Sequence, residues 1–487
     1  MKYKNYIGGR WISPSNNKYF ESYSPHNNKS LGQFPKSSEK DVEKAISVAK
    51  EAYTKWKDVP APKRGEILLE IANILKQEKK RLGKIITNEM GKVTSEAEGD
   101  VQEAIDIAEY MAGEGRRLFG HTTPSELKDK FCMTVRMPLG VVGVITPWNF
   151  PIAIPAWKIM PALICGNSVV FKPSSDTPLC AIEFVKILEK VGVPKGVVNL
   201  VMGSGKEIGD VILKSKDVRG ISFTGSKQTG EYIVANAGLK KIGLELGGKN
   251  AIIVMDDAKI DLAVDGIIWG AFGTTGQRCT ACSRVIVHDK VKRKLEKALL
   301  KRIKKLKLGY GINSTTDVGP LVNKQAVEKV SEYVEIGKKE GAKLVCGGKS
   351  LKMAGNFFEV TMFTNVKPSM RIANEEIFGP VLSLISVNSL KEAIKVANGV
   401  EYGLSSSIYT EDIKNAFIAM REIEAGITYV NSSTIGSEVH LPFGGMKSTG
   451  NGTREAGIEG INEFSEIKTL YVDYSGSLQK AQGIKWG

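Results

Sequence analysis

The sequence predicts an α/β protein built from two successive units of parallel sheet. Three observations carry this. The chain has 487 residues, enough for two or three domains with large cores. From about residue 135, short β-rich runs alternate with helical ones at the spacing of strand–helix–strand units. A second series of the same kind begins near Asn250.

In chain order, residues 38 to 117 read as helical. SEKDVEKAISVAKEAYTKW opens on Ser38, a cap candidate, and keeps helical spacing. APKRGEILLEIANILKQEKKRLGKIITNEMGK continues in the same manner. The first alternation runs GVVGVIT, IPAWKIMPALICG, SVVFKPS, LCAIEFVKILEKVG, VVNLVMG, EIGDVILKS and RGISFTGS, with a helix from Thr229. In the second, the strand AIIVMD precedes a helix from about Lys259 to Phe272, and SRVIVH is the next strand. KRKLEKALLKRIKKLKLG, from Lys292 to Gly309, places Leu295, Leu299, Ile303 and Leu306 at helical spacing and leaves a solvated lysine face. VLSLISV, a helix near Leu390 to Ala397 and SSSIYT follow. FSEIKTLYVDYSG reads as a strand outside both cores, placed to pair with another segment or subunit.

Composition narrows the function classes. Hydrophobic residues are 42% and charged residues 25%, a globular balance. No run approaches the roughly 18 to 20 apolar residues of a membrane helix, so no membrane association is expected. MKYKNYIGGRWISPSNN has no signal-peptide core, so a cytoplasmic protein is expected. Six cysteines do not make a disulfide framework; they are expected to be thiols, one of them available as a nucleophile. The net charge of +15 would suit nucleic acid, a membrane surface or an anionic ligand. No zinc-finger spacing, aromatic RNA-binding signature or helix-turn-helix accompanies it, so no nucleic-acid partner is expected.

Chemistry concentrates in GTTGQRCTACSR, Gly273 to Arg284. Cys279 lies there in a Gly/Thr loop between a predicted helix and a predicted strand. Small neighbours give backbone access, and the cation of Arg278 beside it would lower the thiol pKa. The alternative is a buried structural cysteine. Cys279 and Cys282 also form a CxxC, open to a protective disulfide. No second cysteine pair or His-x-x-x-His accompanies it, so no metal is expected. Of four histidines only His440, in EVHLPFGG, has a site-like setting for a Cys–His dyad. Glu245, in the apolar, glycine-rich GLELGGKN, is the better base, because burial would raise its pKa. A backbone-bonded glutamate in a turn is its alternative. GSGKEIG (Gly203 to Gly209) and FTGSKQTG (Phe223 to Gly230) each run from a strand end into a helix start, as an anion cradle does. Lys172 stands at a strand's C-terminal end, where open α/β sheets bind ligands.

Together these segments resemble the aldehyde dehydrogenase superfamily over nearly the whole chain, from NYIGGRW to the last strand. ITPWNFP, VVFKPS, FTGS, LELGGKN, GQRCT, EEIFGP and PFGGMKSTGNGTREAG stand in the family's order. The resemblance implies a Rossmann-like cofactor domain, an α/β catalytic domain and a small β oligomerisation arm. Residues 1–117 and 139–249 would form the first, 250–440 the second, and 118–138 with 462–487 the arm, while 441–461 returns to the active-site region. Cys279 would be the nucleophile and Asn149, with the Cys279 backbone N–H, the oxyanion donor. Glu245 would activate the deacylating water, and Lys158 and Glu455 match positions suspected of relaying protons. Ile145, Thr146, Pro147, Trp148, Lys172, Ser175, Gly205, Gly209, Phe223, Thr224, Gly225, Ser226, Leu246, Glu376 and Phe378 would hold NADP or NAD. Serine at 175, where NAD-preferring members often carry an acid, would not repel a 2′-phosphate, so NADP is expected to serve at least as well as NAD.

Phe150, Ile154 and Trp157 are expected to line the substrate tunnel, with Arg278 and Thr280 facing it. A cation near an aromatic tunnel suits a small semialdehyde with a distal carboxylate, such as 2-oxoglutarate semialdehyde; small hydroxyaldehydes stay open. Arg278 could instead point into the protein toward a structural partner. Homodimers or homotetramers follow from the resemblance. Two rivals remain: an acylating enzyme that passes the thioester to coenzyme A, against which Glu245 argues, and a non-catalytic binding protein on the same scaffold.

Overall fold

A computed structural model of the chain describes residues 1–480. Positions 481–487, assigned above to the arm, lie outside the described residues. Four short strands open the chain: β1 (Asn5–Ile7), β2 (Arg10–Ile12), β3 (Tyr19–Tyr23) and β4 (Ser30–Pro35). Three helices follow over the stretch read as helical: α1 (Glu39–Trp56), α2 (Ala61–Met90) and α3 (Thr94–Glu114). The Asp41 carboxylate accepts the Ser38 backbone N–H at 2.8 Å, which fixes the start of α1.

Next come β5 (Thr122–Pro124), β6 (Lys130–Pro138), β7 (Val141–Ile145), α4 (Ala153–Cys165), β8 (Ser168–Lys172), α5 (Pro178–Val191), β9 (Val198–Leu200), α6 (Asp210–Lys214), β10 (Val218–Thr224), α7 (Lys227–Asn236) and β11 (Lys241–Glu245). The first sheet has the order β11-β10-β7-β8-β9-β1-β2, and β7 to β11 run parallel. The chain moves outward from β7 through β8 to β9, then returns to build β10 and β11 on the other side. That reversal puts a topological switch point at the C-terminal ends of β7 and β10, where an open parallel sheet leaves a crevice. Both faces are covered. Val142, Val144, Val169 and Phe171 pack with α2 to α5, and Val141 and Val170 with α1 and α6. Strands buried on both sides read as continuous apolar runs, which is why GVVGVIT and SVVFKPS stood out.

The second sheet follows in β12 (Asn250–Val254), α8 (Ile260–Phe272), β13 (Cys282–His288), α9 (Asp289–Ile303), α10 (Lys324–Lys339), β14 (Lys343–Cys346), β15 (Thr361–Thr364), α11 (Arg371–Asn374), β16 (Val381–Val387), α12 (Leu390–Asn398), β17 (Tyr402–Gly403), β18 (Ser405–Tyr409), α13 (Ile413–Glu422) and β19 (Ile427–Val430). Its order is β14-β15-β16-β13-β12-β18-β19, parallel except for β14. Then β20 (Met446–Lys447), α14 (Gly457–Glu463) and β21 (Ser465–Asp473) return the chain. β21 pairs antiparallel with β6 from Ser465↔Pro138 to Asp473↔Lys130, so the terminal strand's partner is another segment of the same chain.

Three expectations need local correction. α7 starts at Lys227, not Thr229, because Ser226 supplies the cap. EIGDVILKS divides into a π-helical turn over Gly205–Gly209 and the short α6. α9 ends at Ile303, so Leu306 lies beyond it, although still half-buried against the core.

Two buried charged groups set the position of α4, which faces the site. Arg64 of α2 donates from Nε to the Ile164 carbonyl at 2.9 Å. Asp100 of α3 takes the Ala153 N–H at the start of α4 at 2.7 Å and pairs with the fully buried Lys92 at 3.0 Å. Among the described residues no helix is long and apolar enough to cross a membrane.

Candidate active site

Two cavities meet at the switch point. The larger, about 330 Å³, is lined by Pro147, Trp148 and Asn149 after β7, Thr224, Gly225 and Ser226 after β10, and Leu246, Cys279, Glu376 and Phe378. The smaller, about 60 Å³, is lined by Phe150, Ile154, Trp157, Glu245, Arg278, Cys279, Thr280 and Glu455. Cys279, Ile154, Thr224 and Leu246 belong to both. A wider hollow beside α9 is walled by Lys292, Arg293, Lys297, Lys301 and Lys304 and is the solvated lysine face; it holds no nucleophile.

Cys279 is held by backbone on both sides. α8 gives way to a tight turn over Gly273–Gly276 in which Thr274 and Thr275 are left-handed, with φ of 52° and 59°. Gly276, at φ 72°, leaves no room for a Cβ, which would overlap the Gly379 carbonyl. Left-handed non-glycine residues cost on the order of 1–3 kcal/mol each and persist only when surroundings enforce them. Here the Glu96 carboxylate takes the Thr274 N–H at 2.9 Å, and Thr275 donates to the Gly319 carbonyl at 3.0 Å. Downstream, Asn250 Nδ2 donates to the Cys279 carbonyl at 2.7 Å.

Arg278 does not do what its sequence position suggested. Its guanidinium donates to Thr274 Oγ1 at 2.9 Å, reaches Glu96 at 3.4 Å and lies over the Phe150 ring at 5.2 Å. The Arg278 cation is therefore not free to sit beside the thiol. Burial, followed by the carboxyls of Glu245 and Glu376, pushes Cys279 up to about 12. Arg278 nonetheless forms part of the small cavity's wall.

Glu245 ends β11 with its carboxyl buried and neither oxygen partnered. Burial, then the nearby Glu455, raises its pKa well above the usual carboxylate range. A backbone-bonded turn glutamate is thereby excluded. Asn149 donates from Nδ2 to the Gln277 carbonyl at 3.1 Å, and its Oδ1 has no partner. Lys158 is fully buried; it pairs with Glu455 and donates to Ser222 Oγ at 2.9 Å. His440 is exposed beside Glu438, outside both cavities, so no Cys–His dyad forms.

The larger cavity fits a dinucleotide. The buried hydroxyls of Thr146 and of Thr224, the latter in the wall, have no partner, and Gly225, where a Cβ would overlap the Phe223 ring, stands just before the N-terminus of α7. Glu376 is fixed by the Gly248 N–H at 2.8 Å. Phe378, left-handed at φ 60°, stands edge-on to Trp148 at 5.5 Å. Ile145, Lys172 and Phe223 share one level at the strand ends through the Ile145↔Lys172 and Phe223↔Ile145 registers. Lys172 donates to the Pro173 carbonyl at 2.9 Å, and burial lowers its pKa to about 8. Ser175 reaches the Gly203 carbonyl at 3.3 Å. Ile145, Thr146, Lys172, Ser175, Phe223, Gly205 and Gly209 are not in the cavity wall, and the last two sit in the π-helical turn.

Sequence reasoning missed Glu103 and Phe443, which also line the small cavity. Glu103 had a signal: Glu96, Asp100 and Glu103 recur at helical spacing on α3. Burial, followed by Asp100, raises Glu103 to about 7. It missed Glu463 as well. That residue ends α14 with its carboxyl over Gly243 of β11, where a Cβ would overlap it.

A family model described as the aldehyde dehydrogenase family matches residues 11–470. The chain is 41% identical over 477 residues to alpha-ketoglutaric semialdehyde dehydrogenase of Bacillus subtilis, covering 96% of this chain and 98% of that one. It is 39% identical over 478 residues to 2,5-dioxopentanoate dehydrogenase of Saccharolobus solfataricus, covering 97% and 99%. Among solved structures, betaine aldehyde dehydrogenase of Staphylococcus aureus in complex with NAD+ superimposes with a TM-score of 0.95 at 36% identity, covering 98% of this chain and 96% of that one.

Proposed function

This chain belongs to the aldehyde dehydrogenase family, and from that premise we propose that it oxidises a short semialdehyde to the dicarboxylic acid through a thioester on Cys279. The class is an oxidoreductase that turns an aldehyde into its acid with a nicotinamide dinucleotide. The observation that carries the reading is Cys279 at the junction of two cavities, with the unpartnered carboxyl of Glu245 in the smaller one.

The dinucleotide, when bound, supplies the hydride acceptor. Residues 145–148, Thr224, Leu246, Glu376 and Phe378 would hold its nicotinamide end, Gly225 and Ser226 its pyrophosphate at the start of α7, and Lys172, Ser175, Gly205, Gly209 and Phe223 would serve the adenosine end. Cys279 must lose its proton before it attacks the aldehyde. The resulting oxyanion is met by the Asn149 amide and the Cys279 backbone N–H. After the hydride leaves, Glu245 takes a proton from water as that water attacks the thioester. A base with no hydrogen-bonding duty of its own favours hydrolysis over transfer to coenzyme A. Lys158 and Glu455 would carry protons onward.

A semialdehyde is favoured by Arg278 in the wall of a small cavity, and the two relatives named above are called dehydrogenases of such substrates. Because Glu96 already neutralises part of the Arg278 charge, the cavity selects by shape and hydrogen bonding as much as by charge. NADP is proposed to serve at least as well as NAD because Ser175 puts no negative charge beside Lys172. We further propose that the chain acts in the cytoplasm, consistent with six unpaired cysteines, and assembles as a homodimer or homotetramer. The domains proposed are 1–117 with 139–249 for the cofactor, 250–440 for catalysis, and 118–138 with the terminal segment for assembly.

The test is absorbance at 340 nm with a panel of short semialdehydes and hydroxyaldehydes, each with NAD and NADP, for wild type and Cys279→Ala. Reduction that depends on Cys279 and is fastest with a semialdehyde is expected. Equal rates in the two proteins would overturn the nucleophile assignment.

A further inference from the structure

Oxidising an aldehyde to a carboxylate with water releases two protons for each hydride transferred. Around Cys279 and Glu245 the wall mixes aromatic and aliphatic side chains with a few polar ones, Glu455 among them. A row of buried polar groups leads away from it through the first sheet. On one face of β11, side chains alternate at Lys241, Gly243 and Glu245. Glu245 ends that row at the small cavity; Lys241, at the other end, is half-buried and donates to the Asn462 and Ser465 carbonyls. The gap at Gly243 is filled by the Glu463 carboxyl from α14. The neighbouring strand sets Ser222 in register with Gly243, so its hydroxyl stands at the same level. Ser222 accepts from Lys158, which leaves its own proton free to donate toward Glu463. Lys158 in turn pairs with Glu455 in the small-cavity wall.

We propose that Glu463 is the outer station of a proton path running from Glu245 through Glu455, Lys158 and Ser222 and leaving the protein beside Lys241. The proposal rests on the hydrolytic reading above. Glu245, having taken a proton from the attacking water, passes it to Glu455. Lys158 gives one ammonium proton through the Ser222 hydroxyl to the Glu463 carboxylate and takes one back from Glu455. Glu463 releases its proton to solvent at the Lys241 end. Each group gives up one proton for the one it receives, so every charge is restored. Glu463 acts on the reaction through Glu245, which makes it a positioning residue for the departing proton.

The chemistry of Glu463 suits the role. Its Oε1 is buried without a partner, so it is free to take a proton. Burial raises its pKa to about 7. Lys158 of α4, Ser222 of β10 and Lys241 of β11 pull that value down, and Glu455 pushes it up. Beyond Lys241 stand Glu466, Cys165 and Arg136. A station near neutrality can both accept and release a proton at physiological pH.

The experiment compares kcat and KM in H₂O and D₂O between pH 5.5 and 9.5 for wild type, Glu463→Gln, Glu463→Asp and Ser222→Ala, with saturating dinucleotide. Glu463→Gln and Ser222→Ala should each lower kcat by about tenfold, less than the roughly 10²- to 10⁴-fold of a group that transfers the proton in the chemical step itself, because both act through Glu245. Both should raise the solvent isotope effect, remove the limb of kcat near pH 7 and leave aldehyde KM within about twofold. Glu463→Asp should retain most of kcat. A Glu463→Gln enzyme with wild-type kcat, isotope effect and pH profile would overturn the path. So would losses in kcat that follow a fall in thermal midpoint and that aspartate does not rescue. A wild type that forms no acid would instead overturn the hydrolytic reading itself.

Discussion

Glu245 is a carboxyl in a place that offers it no partner. Burial, then Glu455, opposes its ionisation, so it holds its proton to higher pH than an exposed glutamate, and that proton must be drawn off for it to act as a base. Glu245→Gln should keep one rapid turnover of cofactor reduction while steady-state acid formation falls by roughly 10²- to 10⁴-fold; stopped-flow absorbance separates the two phases. Stability carries a sign as well. The folded-state pKa of Glu245 is raised, so its contribution is fully present below the ordinary value of 4.5 and is lost as pH rises through the folded value. The thermal midpoint of wild type should therefore fall relative to Glu245→Gln as pH rises, and the two should converge near pH 4. On the cofactor side, Ser175→Glu should turn the NADP/NAD preference toward NAD by tenfold or more, on the order of one charge repulsion near a 2′-phosphate; the ratio of kcat/KM values reads this directly. Cys279 and Glu245 were legible because each sits in a short glycine-containing string whose backbone demands are local, whereas Asn149, in TPWNF, came only with the family resemblance. The direction of Arg278 was not legible, because its partner Glu96 lies 182 positions away in the chain.

At the scale of the element, the Gly273–Gly276 turn decides where the nucleophile stands. Gly276→Ala meets a left-handed φ and an overlap with the Gly379 backbone together. It should lower stability by about 2 kcal/mol or more and reduce kcat at the same time, because the loop cannot yield without moving Cys279. Calorimetry with parallel assays would show this, and a variant that melts like wild type would show the turn to be adaptable. The long helices α1 to α3 and the doubly covered strands were readable because periodicity and continuous apolar runs extend over many residues. β1 and β2 have three residues each, too few to show a period, and take their conformation from pairing with each other and with β9. The end of α9 escaped because Leu306 continues the apolar spacing after the helical backbone has stopped.

Across the whole molecule, alternation revealed two parallel units but could not give strand order. The reversal at β7, which places the site, depends on contacts between strands far apart in sequence. The surface bears on assembly too. Leu262 and Trp269, two turns apart on α8, are 45% and 50% exposed, and Ile467, Tyr471 and Val472 are exposed on β21. Apolar side chains repeated along one element suit the covered face of the oligomer proposed above. Leu262→Glu with Trp269→Glu should lower the solution mass measured by light scattering toward that of one chain. An unchanged mass would place the contact elsewhere.

The Glu463 carboxyl lying in the space above Gly243 also constrains how this sequence can drift. A side chain at position 243 is acceptable only after position 463 has been shortened, since both would occupy one volume. The reverse order passes through a variant that is overpacked and carries a displaced buried acid. Among descendants of this chain, alanine or serine at 243 should accompany a smaller residue at 463, and glycine should persist wherever the glutamate does. The two positions, 220 apart in the chain, are thus inherited as one.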